Sequence, residues 1–456
     1  MFRKINAARL FNWLIIAFVI LTNFQYKYWK DSERIIAWDV IYYYSYLPAT
    51  FIYNDLSLSY APTAEEEVKS KTWCQNAPNG NCMIKTASGM AAMYAPFFAA
   101  SHLYTKLFGG EVYHPNGYSV PYRFGLIASS IFYFAFGLFF MRKTLQQFFP
   151  DFVVICTSMI IAVGTNLFYY VTTEPTMSHA YSFCLLAAFI FYSLKWHKSP
   201  SLLLSLLLGF LTGVIALTRP TNAIILLFFI LWEVRSFADL KNRGLLFLRN
   251  YKWILLMAFV AVSVWIPQLL YWKNHAGVWL YNSYGNEERF FFNDPKIIAG
   301  LFSYRKGWLL YTPVMTFALI GIFFLRQKFG GFFLPVLLFT LLNIYIIFSW
   351  WSWWYGGGFG LRAMIDSYAL LAIPLAAFFY YLWQKKIVVK ILTIFIFATL
   401  VFFNQFQVAQ YRSGAIHWDA MGKKVYWANF GKLEPVPNFQ ELLEPLDYDK
   451  ARAGDR

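Results

Sequence analysis

Apolar runs of about 20 residues constrain this chain more than any motif, because a helix of that length crosses the hydrocarbon core of a bilayer. Eleven such runs can be counted: Leu10 to Tyr26, Pro121 to Met141, Phe152 to Val171, Met177 to Leu194, Leu202 to Leu217, Pro220 to Val234, Trp253 to Trp272, Trp308 to Leu325, Gly331 to Ser349, Ser367 to Trp383, and Ile387 to Phe403. The fifth and sixth are short and meet at Thr218, Arg219 and Pro220, so they form a helical hairpin or a broken pair. Only 14% of residues are charged, against about 25% in soluble domains. The expected fold is an all-α polytopic membrane protein of about eleven transmembrane helices. No internal repeat, heptad pattern or low-complexity linker divides it. Residues 1–404 therefore read as one membrane domain and 405–456 as a short tail.

Charge sets the orientation. With the N-terminus cytoplasmic, the even-numbered gaps hold Arg142 and Lys143; Lys195 and Lys198; Arg235, Lys241, Arg243, Arg249 and Lys252; Arg326 and Lys328; and Lys385 and Lys386. Every short basic loop then lies on the cytoplasmic side, as the positive-inside rule requires, and the tail lies outside. The same placement accounts for most of the net charge of +16 and leaves no basic stripe on a soluble domain for nucleic acid. The basic start and apolar run at the N-terminus lack a small-residue cleavage site, so they read as an uncleaved first span. Two outer segments are long, 27–120 and 273–307. The first contains Trp38 to Tyr53 and Met83 to Leu107, apolar enough for interfacial helices but too polar to span.

Of the four cysteines, Cys156 and Cys184 fall within spans and read as packing residues. Cys74 and Cys82 stand eight positions apart in a Pro/Asn/Gly-rich part of the first outer loop, where an oxidising compartment favours a disulfide. No further His or Cys nearby completes a zinc site.

Sorting the polar groups by side leaves basic residues inside and the acids outside. The outer ends of the runs carry Asp39; Glu174 and His179; Arg219; Glu287, Glu288, Arg289, Arg305 and Lys306; and Arg362 and Asp366. Charged groups near hydrocarbon are costly and mark pathways or sites. Each also has a plainer reading. Asp39, the one carboxylate in an otherwise uncharged run from Ile35 to Asn54, reads either as a solvated loop residue or as a catalytic acid. Glu174 before Pro175 can serve simply as a first-turn carboxylate. His179 can be a satisfied interfacial histidine. Arg219, between two apolar helices, needs a partner. The Gly356 to Gly358 run among tryptophans allows close backbone approach to a ligand, with Tyr355 before it and Arg362 beyond. Arg and Lys beside carboxylates and exposed rings suit a substrate with a phosphate and a sugar. Nucleotide sugars are cytoplasmic, so outside the membrane the donor is expected to be lipid-borne.

The acid just after the first span, with interfacial helices behind it, resembles the GT-C superfamily of membrane glycosyltransferases. The set WDVIYYYSYLPA, TEPTMSHAYSF, LTRPTN, YGNEERFFFNDP, LFSYRKGWLLYTP and WWYGGGFGLR is similar, more narrowly, to bacterial glycosyltransferases grouped with the aminoarabinose transferases and protein mannosyltransferases of glycosyltransferase family 39. The likeness runs from about Ile15 to Asp366. It implies an enzyme of the bacterial inner membrane with a periplasmic active site and C-terminus, transferring sugar from a polyprenyl-phosphate donor to a lipid, glycan or protein acceptor. Asp39 takes the role of catalytic base, assisted by Glu174. Arg219, Arg305, Lys306 and Arg362 bind the donor phosphate; Trp38, Tyr42, Tyr43, His179, Glu287 and Tyr355 bind sugar or acceptor. The family pairs two acids in the first loop, whereas Trp38 and Val40 flank Asp39 here. The reading is therefore of no cofactor, with a divalent metal as the less favoured alternative. Two rival functions remain: a polysaccharide polymerase or ligase using a lipid-linked donor, and a transporter of lipid-linked saccharide, against which the lack of repeated halves counts.

Overall fold

A computed structural model describes residues 7–456; the basic start at Arg3 and Lys4 lies outside the described residues. The principal helices are α1 (Ala7–Tyr26), α2 (Asp39–Phe51), α3 (Gly89–Phe108), α4 (Val120–Leu145), α5 (Asp151–Val163), α6 (His179–Lys198) and α7 (Leu202–Thr218). They continue with α8 (Leu226–Leu231), α9 (Phe237–Arg249), α10 (Tyr251–Ala276), α11 (Met315–Lys328), α12 (Phe333–Ser349), α13 (Tyr368–Trp383) and α14 (Ile387–Arg412). Among the described residues the strands are a single antiparallel pair, Gln75–Asn76 with Cys82–Met83, so the chain is all-α. Among the described residues, six segments are long and apolar enough to cross a membrane: those built on α1, α4, α10, α12, α13 and α14. This is consistent with an all-α membrane protein.

Of the other apolar runs, the one in α6 forms an unbroken helix of 20 residues that carries His179, Lys195, His197 and Lys198 at its ends, and the rest are shorter or interrupted, for identifiable reasons. α7 ends at Thr218 because Arg219 precedes a proline, which disfavours helical backbone; Arg219 is extended (φ −149°, ψ 104°). A 3₁₀ turn over Pro220–Ile225 and the six-residue α8 follow, so the fifth and sixth runs are a broken pair. Pro313 similarly separates the turn Trp308–Tyr311 from α11. The two outer stretches read as interfacial do form helices, α2 and α3. Cys74 and Cys82 are joined by a disulfide across the short strand pair, Cα to Cα 5.4 Å.

α13 is the buried axis, packed by α5, α6 and α11. Its contact with α11 needs Gly321: a Cβ there would stand 2.1 Å from the Pro374 carbonyl oxygen. Gly209 and Gly213, spaced as in small-residue membrane contacts, let α7 lie against α10; Cβ atoms would fall 2.6 Å from Met257 O and 2.7 Å from Val264 Cβ, respectively. By contrast, α10 and α14 turn Leu255, Phe259, Phe395 and Phe402 outward. Such an exposed apolar belt suits lipid as its surroundings.

α14 runs past the end of the apolar run at Phe403 to Arg412 because its polar side chains find partners. Asn404 donates to Tyr311 O (2.6 Å), and Gln410 to the carbonyls of Asn429 (2.9 Å) and Lys432 (2.7 Å). The residues after it are ordered against the helices: Arg456 donates to Trp350 O (2.9 Å), and Tyr448 packs its ring against Trp351 and Trp354.

Candidate functional site

One end of the helix assembly gathers most of the acids and arginines singled out in the sequence. Tertiary contacts pin the elements there: Asn23 of α1 donates to Val171 O (3.0 Å), and Thr176 donates to Ile35 O (2.7 Å). These contacts draw the segment leading to Asp39 against the α5–α6 connection.

Asp39 is the first residue of α2. Its carboxylate is 46% exposed and accepts a hydrogen bond from Arg362 Nη2 at 3.0 Å. Arg362 opens the 3₁₀ turn that leads into α13, and most of its side chain is covered. Glu174 lies within electrostatic reach of both Asp39 and Arg362, and its Oε1 accepts from the Tyr169 hydroxyl at 2.8 Å. Burial raises the Glu174 carboxyl above the usual carboxylate range, against the opposing pull of Tyr169, Arg362 and Lys306. Lys306 is 2% exposed and donates to the carbonyls of Gly358 and Trp418. Burial pushes its amine down to about 7, opposed by Asp419 and Glu174. Burial thus drives both groups toward their neutral forms.

The glycine run is used as the sequence suggested, with its close approach made to protein groups. Gly358 adopts φ +123°, and a Cβ there would sit 2.3 Å from the Tyr170 hydroxyl and 3.7 Å from Glu174 Oε2. The Tyr170 hydroxyl is buried with no hydrogen-bond partner. Trp418, from the C-terminal segment, lies against Gly357, its ring carbon 3.2 Å from the position of a Cβ.

A second, buried cluster lies deeper. Asp366 accepts from Asn222 Nδ2 at 2.9 Å and from His179 Nδ1 at 3.1 Å, and pairs with Arg219 Nη1 at 3.1 Å. Its side chain is 3% exposed. The partner that Arg219 needs is thus Asp366, and its guanidinium also lies 5.9 Å from the centre of the Tyr355 ring. Tyr43 links the clusters electrostatically, within reach of Asp39, Arg219 and Arg362; burial raises its phenol above the usual range.

Two candidates fall away from this group. Arg305 donates to the carbonyls of Asp419 (2.6 Å) and Glu444 (2.7 Å), holding the C-terminal segment. Glu287 is exposed, while its neighbour Glu288 pairs with Lys85 at 3.0 Å. Tyr42 stays near Asp39, and Trp38 is 77% exposed. Sequence reasoning marked Asp366 among the outer charged groups without giving it a role, and passed over Asn222, Tyr170 and Trp418. Asp366 had a signal, four positions after Arg362 in a short turn; Trp418 had none, since only folding returns the tail to this end. No three His, Cys, Asp or Glu residues stand together as a metal site among the described residues. Neither a protein-family model nor a curated protein matches the sequence.

Proposed function

We propose that this chain is a membrane glycosyltransferase that moves a sugar from a polyprenyl-phosphate donor to an acceptor, with inversion, using Asp39 as base. The observation that carries the reading is the half-exposed Asp39 carboxylate held at 3.0 Å by a largely covered arginine, Arg362, with Glu174 and Lys306 in the same electrostatic neighbourhood. An acid with water on one side and a fixed cation on the other is poised to accept a proton from a nucleophile arriving from solvent.

In this mechanism the acceptor hydroxyl or amine attacks the anomeric carbon and its proton passes to Asp39. The bond from that carbon to the donor phosphate oxygen breaks, and the lipid monophosphate leaves on the opposite face. Arg362 and Lys306 stabilise the charge growing on the phosphate, as preorganised donors do for other oxyanions. Arg362 serves both partners: it orients Asp39 at rest and turns to phosphate as the proton transfers. Arg219 is committed to Asp366, so in this scheme it maintains the fold beneath the site. Glu174, held toward its neutral form by burial, keeps the phosphate region from carrying an excess of negative charge. The likeness to glycosyltransferases supplies the donor class, and a periplasmic site in a bacterial inner membrane, with the N-terminus cytoplasmic, follows from the basic loops.

The test is sugar transfer from a polyprenyl-phosphate sugar by the purified full-length protein. Asp39→Asn is expected to abolish turnover while donor binding and melting temperature persist. Full turnover in that variant would sink the assignment of the base, and glycan chain growth on the product would replace the transferase reading by a polymerase.

A further inference from the structure

Trp38 sits in a backbone conformation that side chains avoid. At φ 52° and ψ −129° it occupies a region that glycine enters freely and a bulky residue enters only under strain. Burial does not repay that strain, because the residue is 77% exposed. A strained residue whose ring is left uncovered by the chain, immediately before the proposed base, points to use of the ring by something outside the chain.

Its surroundings say what that something is. The Trp38 and Trp73 rings meet nearly perpendicular, centroids 6.4 Å apart at 77°, and Tyr42 meets Trp73 at 5.7 Å and 74°. The three rings form an open corner. Trp73 is fixed by its own indole, which donates to Ser70 O at 3.1 Å, beside the Cys74–Cys82 disulfide. The corner is rimmed by charge: Asp39 and Glu288 both lie within electrostatic reach of Tyr42, and Glu288 holds Lys85 at 3.0 Å. A hydrocarbon chain would find the rings and be repelled by the carboxylates. A cationic peptide would suit ring faces beside free carboxylates, but both carboxylates here already hold a cation, Glu288 with Lys85 and Asp39 with Arg362. A pyranose uses both, its C–H face covering an aromatic ring while its hydroxyls donate to carboxylates at the rim.

We infer that the Trp38–Trp73–Tyr42 corner is an acceptor subsite that takes a pyranose ring, so that the acceptor is a glycan or glycolipid. The inference rests on the glycosyltransferase reading for its name as an acceptor site, and on the ring geometry for its ligand.

Trp38→Gly is the informative variant, because it deletes the ring and relieves the backbone at once. The experiment is saturation-transfer NMR on the full-length protein in nanodiscs of deuterated lipid. The probes are methyl pyranosides of glucose, galactose, mannose and N-acetylglucosamine, with a Ser/Thr octapeptide for comparison. At least one pyranoside is expected to take up saturation on its ring C–H protons in the wild type. That signal should fall at least fivefold in Trp38→Gly and Trp73→Leu, while the melting temperature of Trp38→Gly holds or rises. The inference is overturned if no pyranoside binds the wild type, if the octapeptide alone binds, or if both tryptophan variants keep the signal. A Trp38→Gly protein that binds pyranoside normally but incorporates poorly into the nanodiscs overturns it in favour of a membrane anchor. Failure here and failure of the transferase reading separate cleanly. Ring-dependent pyranoside binding without any transfer from a polyprenyl-phosphate sugar removes the enzyme and keeps the subsite; Asp39-dependent transfer undisturbed in both tryptophan variants does the reverse.

Discussion

Asp39 and Asp366 each meet an arginine at the same end of the helices, at 3.0 and 3.1 Å, and there the likeness stops. Asp366 is sealed, with Arg219, His179 and Asn222 around its two oxygens. Asp39 has one arginine and otherwise faces water. A buried carboxylate with both oxygens engaged by three partners is closed to substrate, and its neighbours depend on it. A half-exposed carboxylate with one partner can exchange that partner. The difference separates two roles that the sequence presents identically, an acid near an arginine beside an apolar helix.

Single substitutions can break that contrast. The largest expected effect is on chemistry: Asp39→Asn should lower kcat by about 10²- to 10⁴-fold, measured as transfer from a polyprenyl-phosphate sugar. Its stability cost should be small, since half-exposed ion pairs contribute at most about 1 kcal/mol. Asp366→Ala should show the opposite profile. It strands the covered Arg219 and should cost about 3–5 kcal/mol, read as a lower melting temperature and poor recovery in detergent. Equal melting temperatures for the two variants would erase the distinction drawn between them.

Lys306 gives a third contrast, in pH. Its amine is held to about 7 in the fold, while in the unfolded chain it keeps its proton to the ordinary 10.5. Between those values the unfolded state binds the extra proton, so this group makes the fold more stable as pH rises through the window. Below about 7 both states are protonated and the contribution is flat. The charge that would meet phosphate is lost over the same rise. Thermal unfolding from pH 7 to 9 should therefore show the wild type gaining on Lys306→Met, while transfer activity of the wild type declines. A constant difference in melting temperature across that range would show that Lys306 does not titrate there. The smallest effect expected is Trp38→Gly, which should stabilise the fold by about 1 kcal/mol by releasing the positive-φ strain. A loss of stability would mean that the exposed ring supports the helix start rather than a ligand.

Much of this contrast was legible in the sequence, unevenly. The residues of the end cluster were already marked out, because acids and arginines stand out against long apolar runs. Arg219 announced its need for a partner by interrupting two such runs, but that the partner is Asp366, 147 positions on, depends on α6 packing against both α7 and the turn before α13. Arg305 looked equivalent to Lys306 because the two are adjacent. The fold sends Arg305 to the tail carbonyls of Asp419 and Glu444, whereas Lys306 donates to Trp418 O and also to Gly358 O of the glycine run. The helix past Asn404 was missed because apolar count governs where hydrocarbon ends, whereas helix continuation here depends on amide partners in the folded chain.

By itself the sequence determined the material: an all-α chain rich in long apolar runs, eleven by count, of which the fold makes six into helices long and apolar enough to cross a membrane, with its few acids and arginines standing out at the ends of those runs. Hydrophobic length and the cost of charge near hydrocarbon are local properties, readable residue by residue. Tertiary structure alone decided which acid is sealed and which is open, that the chain's last 40-odd residues return to cover Lys306, and that Trp38 is held out beside Asp39 in a conformation it pays to adopt. Those outcomes depend on which groups meet across more than a hundred residues, and burial and pairing are properties of the meeting rather than of either partner.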